Sequence, residues 1–174
     1  MESMVVYDSK FGNTRKVAKA IAGRWRTRGS VRLLSLDTIV PDDLGQLDLL
    51  LIGGPTQAHG MSARVRQFTD ALSAASRVGT VIAVFDTRLR LPRILSGSAA
   101  KTAATKLRQA GLNLAVPAVS FFVSGATPEL EPGELARRRG LGGRDRRAGL
   151  PQLSGSLSVC PPLAAPQSVP WPSL

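Results

Sequence analysis

Three features of the sequence predict a three-layer α/β fold with a five-stranded parallel sheet. Short apolar runs alternate with amphipathic stretches of helical period through about residue 125. The Leu-rich run Leu49–Ile52 shows no in–out alternation, as expected of a strand covered on both faces. A chain of 174 residues that is 43% hydrophobic has enough apolar material for one such core. Strand, helix, strand, helix in this order requires right-handed crossovers, with helices on both sides of the sheet.

Met4-Val5-Val6-Tyr7 is the first strand. Asn13 to Arg28 places Val17, Ala18, Ile21 and Trp25 on one face and basic residues on the rest, which predicts an amphipathic helix stopped near Gly29. Val31 to Leu36 is the second strand, and Pro41-Asp42-Asp43-Leu44 a short helical turn with Pro near its start. Asp48 to Gly53 is the third strand. Val65, Phe68 and Leu72 recur at helical spacing after it. Thr80 to Phe85 is the fourth strand. Gly97 to Ala110 is a helix with Ala100, Ala103, Ala104 and Leu107 inward, ended by Gly111, and Val116 to Val123 is the fifth strand. A last helix begins at Gly133 and loses its pattern at Arg137. Residues 137–174, rich in Arg, Gly, Pro and Ser, show no period, so they are expected to be disordered; residues 1–136 form the domain.

The net charge is +11, and six Arg against one acid lie in residues 136–174. A basic surface points to an acidic partner. Single-strand nucleic-acid binders interleave aromatics with basic residues, but aromatics make up only 5% here, so no nucleic-acid partner is expected. No clean apolar run exceeds five residues against the ~20 of a membrane span, and the first residues lack a basic and apolar leader pattern. A cytoplasmic protein without a membrane partner is expected. A single cysteine, Cys160, and a single histidine, His59, exclude an internal disulfide and the usual Cys or His metal clusters.

The most informative stretch is Ser9-Lys10-Phe11-Gly12-Asn13-Thr14, between the first strand and the first helix. Helix-start N–H groups carry the positive end of the dipole, hydroxyls and an amide surround them, and Gly12 permits close approach; together they suit a phosphate. Plain helix capping is the alternative for Ser9, Asn13 and Thr14. Lys10 either neutralises the phosphate or is solvated. Two further segments follow strands three and four: Gly53-Gly54-Pro55-Thr56-Gln57-Ala58-His59-Gly60 and Phe85-Asp86-Thr87-Arg88. In a sheet of order 2-1-3-4-5 all three emerge at the carboxyl edge, around the switch point between strands one and three. The first holds phosphate and the other two flank a flat ring. Asp86 either accepts a ring N–H or caps the next turn; Arg88 either lies beside the ring or pairs with Asp86.

Ser9 to Thr14 resembles the Thr/Ser-x-Thr/Phe-Gly-Asn-Thr phosphate loop of the flavodoxin family. Gly54-Pro55-Thr56 with His59-Gly60 is similar to that family's second, ring-flanking loop, and Phe85 to Arg88 lies where its third loop falls. The likeness covers about residues 4–135. It implies a flavodoxin-like fold with an incomplete final helix, flavin mononucleotide (FMN) as cofactor, and electron transfer to a redox partner protein. The implied cofactor-binding residues are Ser9, Lys10, Phe11, Gly12, Asn13, Thr14, Pro55, Thr56, Gln57, His59, Gly60, Phe85, Asp86, Thr87 and Arg88. An FMN-dependent quinone reductase, or a domain that no longer holds flavin, are the alternatives. The second loop offers no aromatic to stack on a flavin, and the chain is basic where many of the family are acidic.

Overall fold

A computed structural model describes residues 2–139 except 28, 40, 58–59, 76–78, 92–96, 115 and 125–127. The predicted disordered tail from residue 140 onward, with Cys160, lies outside the described residues, as does His59. Seven strands and four helices follow in order: β1 (Glu2–Tyr7), α1 (Asn13–Trp25), β2 (Ser30–Ser35), β3 (Leu49–Gln57), β4 (Gly60–Met61), α2 (Ala63–Ala74), β5 (Val81–Leu89), α3 (Ala99–Gln109), β6 (Val119–Ser124), β7 (Glu129–Leu130) and α4 (Glu134–Arg139). Pro41–Leu44 forms a single 3-10 turn between β2 and β3.

The sheet runs β2-β1-β3-β5-β6-β7. Its first five strands are mutually parallel and are the five expected. Two antiparallel additions of two residues each extend it: β4 on β3, and β7 on β6. Neither has a run long enough to register as a strand in the sequence. The fifth strand starts at Val119 rather than Val116, because Pro117 has no N–H to give a ladder. Leu114 instead makes one isolated parallel bridge to Ile82.

Alternate residues of each central strand enter two separate cores. Met4, Val6, Leu50, Ile52, Ile82 and Val84 pack under α2 and α3, with Phe68, Leu72, Ala103 and Leu107 from the helices. Val5, Leu49, Leu51, Ala83 and Phe85 point the other way, against Val17, Ala18, Ala22 and Trp25 of α1. Leu130 and Leu135 join this second core from β7 and α4. Phe85 meets Phe121 edge-to-face at 5.9 Å, an arrangement worth about 0.5–1.5 kcal/mol beyond burial.

Two strand residues are glycine for packing. A Cβ on Gly53 would lie 2.1 Å from Cζ of Phe85, and one on Gly54 would lie 2.5 Å from Cγ2 of Val65. Their absence lets the Phe85 ring lie on β3 and lets α2 approach the sheet. Both glycines belong to β3, which continues to Gln57, and β5 likewise continues to Leu89. The segments expected as loops after strands three and four are therefore in large part strand. Pairing of Gly53, Gly54 and Pro55 with Phe85, Asp86 and Thr87 extends the ladder through residues whose polarity had suggested loop.

Candidate functional site

The carboxyl edge of the sheet brings together the β1–α1 connection, the β3–β4 tip and the end of β5. Asp8 leaves β1 with its N–H bonded to the Gly53 carbonyl at 3.0 Å. The chain then turns through Gly12, whose φ of +81° is left-handed, a conformation glycine adopts without a Cβ penalty. Helix α1 begins at the next residue.

The three longer helices differ in how their first N–H groups are satisfied. At α2, the Ser62 hydroxyl accepts from Val65 N–H at 3.4 Å. At α3, three consecutive donors are taken by side chains: Ala99 by Thr56 Oγ1 at 2.9 Å, Ala100 by Asp86 Oδ2 at 3.0 Å, and Lys101 by Ser98 Oγ at 3.2 Å. At α1 the capping residue is glycine, which has no side chain to cap the helix, and no acid lies in the first turn. Ser9 Oγ accepts only from Arg15 N–H, at 3.2 Å. The N–H groups of Lys10, Phe11, Gly12, Asn13 and Thr14 donate to no acceptor among the described residues. Such a row of unpaired donors at the positive end of a helix dipole is chemically suited to an anion.

Side chains bind this turn to the rest of the edge. Asn13 is buried and its amide donates to the Pro128 carbonyl at 2.6 Å, which ties the turn to the strand β6–β7 connection. Its Oδ1 is buried with no hydrogen-bond partner among the described residues. The Thr14 hydroxyl lies 2.9 Å from that of Thr87 on β5, and both are buried. Arg64, in the first turn of α2, bonds Asp37 at 2.6 Å and reaches Asp8 at 3.7 Å, offsetting the carboxylate nearest the turn. The Lys10 ammonium rests 5.4 Å above the Phe11 ring.

The predicted site residues thus fall into distinct groups. Ser9, Lys10, Phe11, Gly12, Asn13 and Thr14 form the open turn, with Phe11 exposed. Pro55, Thr56, Gln57 and Gly60 lie on β3 and β4 at the same edge. Thr56 uses its hydroxyl to receive Ala99 N–H and to donate to Asp86 at 3.1 Å. The third segment differs from the expectation of a loop. Phe85 is in the core beneath α1. Asp86 is fully buried and takes the capping role: Oδ2 also receives the Ser98 hydroxyl at 2.7 Å, while Oδ1 has no partner among the described residues. Arg88 is buried and does not pair with Asp86 among the described contacts. Its guanidinium donates to Ser120 Oγ and to the carbonyls of Leu89 and Leu91, and lies 5.0 Å from the Phe122 ring. Arg90 stacks on the same ring at 4.1 Å and chelates Glu131 at 2.8 and 3.1 Å; hydrogen bonding to Glu131 raises its pKa above the ordinary arginine value.

Sequence reasoning missed Arg64, Asp37 and Pro128. The first two are polar residues of unremarkable spacing, and a backbone carbonyl carries no signal in a sequence. The Thr14–Thr87 contact was equally invisible, although both residues were named.

The structure is a doubly wound α/β domain with an open turn at its first strand–helix junction, at the carboxyl edge where folds of this kind bind their ligands. Residues 4–88 match the flavodoxin domain model. A flavodoxin from Aquifex aeolicus is 35% identical over 69 residues, which span 38% of this chain and 37% of that protein. The aligned region is therefore little more than a third of that curated relative. A flavodoxin from the domain Archaea superimposes with TM-score 0.65 at 23% identity, covering 79% of this chain and 90% of its own. Oxidised flavodoxin 1 from Bacillus cereus gives 0.67 at 20% identity, covering 79% and 91%. The chain is thus similar to flavodoxins in sequence over residues 4–88 and has a flavodoxin-like fold.

Proposed function

We propose that this chain binds FMN by its phosphate and carries electrons to a partner protein. The observation that carries this reading is the uncapped start of α1, where Gly12 is left-handed and five successive N–H groups have no acceptor among the described residues. The donor set fits a phosphate monoester: backbone N–H groups, hydroxyls and no carboxylate within the turn. The N–H groups of Lys10 to Thr14, with Ser9 and Thr14, would hold the phosphate. Pro55, Thr56, Gln57 and Gly60, with the end of β5 at Leu89, would border the ring, and His59 stays a candidate on sequence grounds. The bound flavin supplies one- and two-electron chemistry. The protein's part is to orient the phosphate, spread its charge over fixed dipoles, and keep Asp8 compensated through Arg64.

The partner surface proposed is the same edge. Phe11, Leu89 and Leu91 are the exposed large apolar side chains among the described residues, and all three lie there. Arg15, Lys16 and Lys19 are exposed on α1 beside it. Apolar contacts set among uncompensated cations suit an acidic protein.

Titration of the purified chain, followed by flavin fluorescence, tests the cofactor. FMN is expected to bind and riboflavin to bind at least about tenfold more weakly, since charged hydrogen bonds contribute ~1.5–3 kcal/mol each. Equal affinity for the two flavins would falsify the phosphate assignment.

A further inference from the structure

The geometry points to Thr87 as a positioning residue that directs the Thr14 hydroxyl proton toward an anion at the α1 turn. The inference rests on the FMN reading above and adds a role that a residue of β5 plays through another side chain.

A threonine in a helix commonly turns its hydroxyl to the carbonyl of the preceding turn. Thr14 does not. Its Oγ1 lies 2.9 Å from Oγ1 of Thr87, across the interface between α1 and the sheet, and either oxygen can be the donor. Each hydroxyl has one proton and two lone pairs. Thr14 is 1% exposed and Thr87 is 5% exposed, so water is not a ready second partner. Neither makes another hydrogen bond among the described residues.

The proton count then allows two arrangements. If Thr14 donates to Thr87, the Thr87 proton is left buried without an acceptor. If Thr87 donates to Thr14, the Thr14 proton is the one left over. That proton belongs to the second residue of α1, next to the open N–H groups, where an anion offers an acceptor. Binding of a phosphate therefore selects the second arrangement. Accepting from Thr87 also makes Thr14 a stronger donor, because hydrogen bonds in a chain polarise one another. Without the Thr87 hydroxyl, nothing among the described residues fixes the Thr14 rotor or supplies the second link.

Thr87→Val keeps the shape and removes the hydroxyl, and Thr87→Ser keeps the hydroxyl and trims a methyl. The full-length wild-type chain and both variants are titrated with FMN and with riboflavin, and their melting temperatures are measured with and without inorganic phosphate. Thr87→Val is expected to weaken FMN by up to about tenfold, through loss of the hydroxyl link that orients and polarises the Thr14 donor, while leaving riboflavin unchanged. Thr87→Ser should restore the wild-type ratio of the two affinities. The upward shift of melting temperature by phosphate should be present in wild type and Thr87→Ser and reduced in Thr87→Val. A Thr87→Val chain that loses both flavins equally, or that keeps the wild-type ratio and phosphate shift, overturns the assignment. A wild type that binds no flavin but shows a Thr87-dependent phosphate shift overturns the FMN reading and supports the Thr87 role. The absence of flavin binding and of any phosphate shift overturns both.

Discussion

Polar residues at the end of β5 use their hydrogen-bonding capacity inside the protein, and Arg88 does so with a charge. Its guanidinium is buried against Ser120, the carbonyls of Leu89 and Leu91, and the face of Phe122. An arginine has five donors in a planar fork, so it can serve carbonyls and a hydroxyl while its face covers a ring. Removing it takes away those hydrogen bonds and the packing on Phe122. Arg88→Ala is expected to lower unfolding stability by about 2–4 kcal/mol, since hydrogen bonds from a charged group contribute ~1.5–3 kcal/mol each. Lysine cannot reproduce the fork, so Arg88→Lys should recover less than half of the loss. Chemical denaturation of the two variants and the wild type checks this. A wild-type midpoint in Arg88→Ala would show that the contacts contribute nothing. The role of Arg88 was not legible in the sequence, where it stood as a charge beside a flavin ring. Two of the contacts that bury it, Ser120 and Phe122, come from β6, more than 30 residues away.

At the scale of elements, the contrast between α1 and α3 separates binding from architecture. Helix α3 has its first donors occupied by Thr56, Asp86 and Ser98, so its N-terminus joins β3 and β5 and has no open dipole end for a ligand. Asp86 is the centre of that joint, because one oxygen receives Thr56, Ser98 and the Ala100 N–H. Asp86→Ala is expected to destabilise the fold by about 2–4 kcal/mol through donors left without an acceptor. It should also speed amide exchange in the first turn of α3 more than at the start of α1. Equal exchange at the two helix starts would mean that Asp86 does not fasten α3. The five parallel strands and the open turn before α1 were legible because they rest on local signals: apolar runs of strand length, helical periodicity, and Gly-Asn-Thr at a strand–helix junction. The ends of β3 and β5 were not. Gly53, Gly54 and Pro55 are poor strand formers, and Asp86 and Thr87 are polar. They become strand because neighbouring strands pair with them, a tertiary effect that overrides propensity.

For the whole molecule the governing quantity is charge and where it is cancelled. The chain carries +11, but much of its local charge is paired: Arg64 with Asp37 and Asp8, Arg90 with Glu131 and Glu134, Lys106 with Asp70. Arg15, Lys16 and Lys19 are exposed on α1, and Lys10 stands on the turn before it. Those four place a cluster of positive charge at the carboxyl edge and along the first turns of the adjoining helix. A field of this kind steers an oppositely charged protein during approach, and salt weakens it as the screening length falls from about 30 Å at 0.01 M to about 8 Å at physiological strength. Electron transfer from the FMN-loaded chain to an acidic one-electron acceptor protein should therefore slow as salt rises. Reversing three charges (Arg15→Glu, Lys16→Glu, Lys19→Glu) should flatten or invert that dependence. The three side chains are exposed, so stability should change little and FMN binding should persist. If the slope in the variant matches the wild type, the steering arises elsewhere, and the basic residues from 136 onward become the segment to neutralise next. If transfer to a basic acceptor is faster than to an acidic one at low salt, the acidic-partner assignment is wrong.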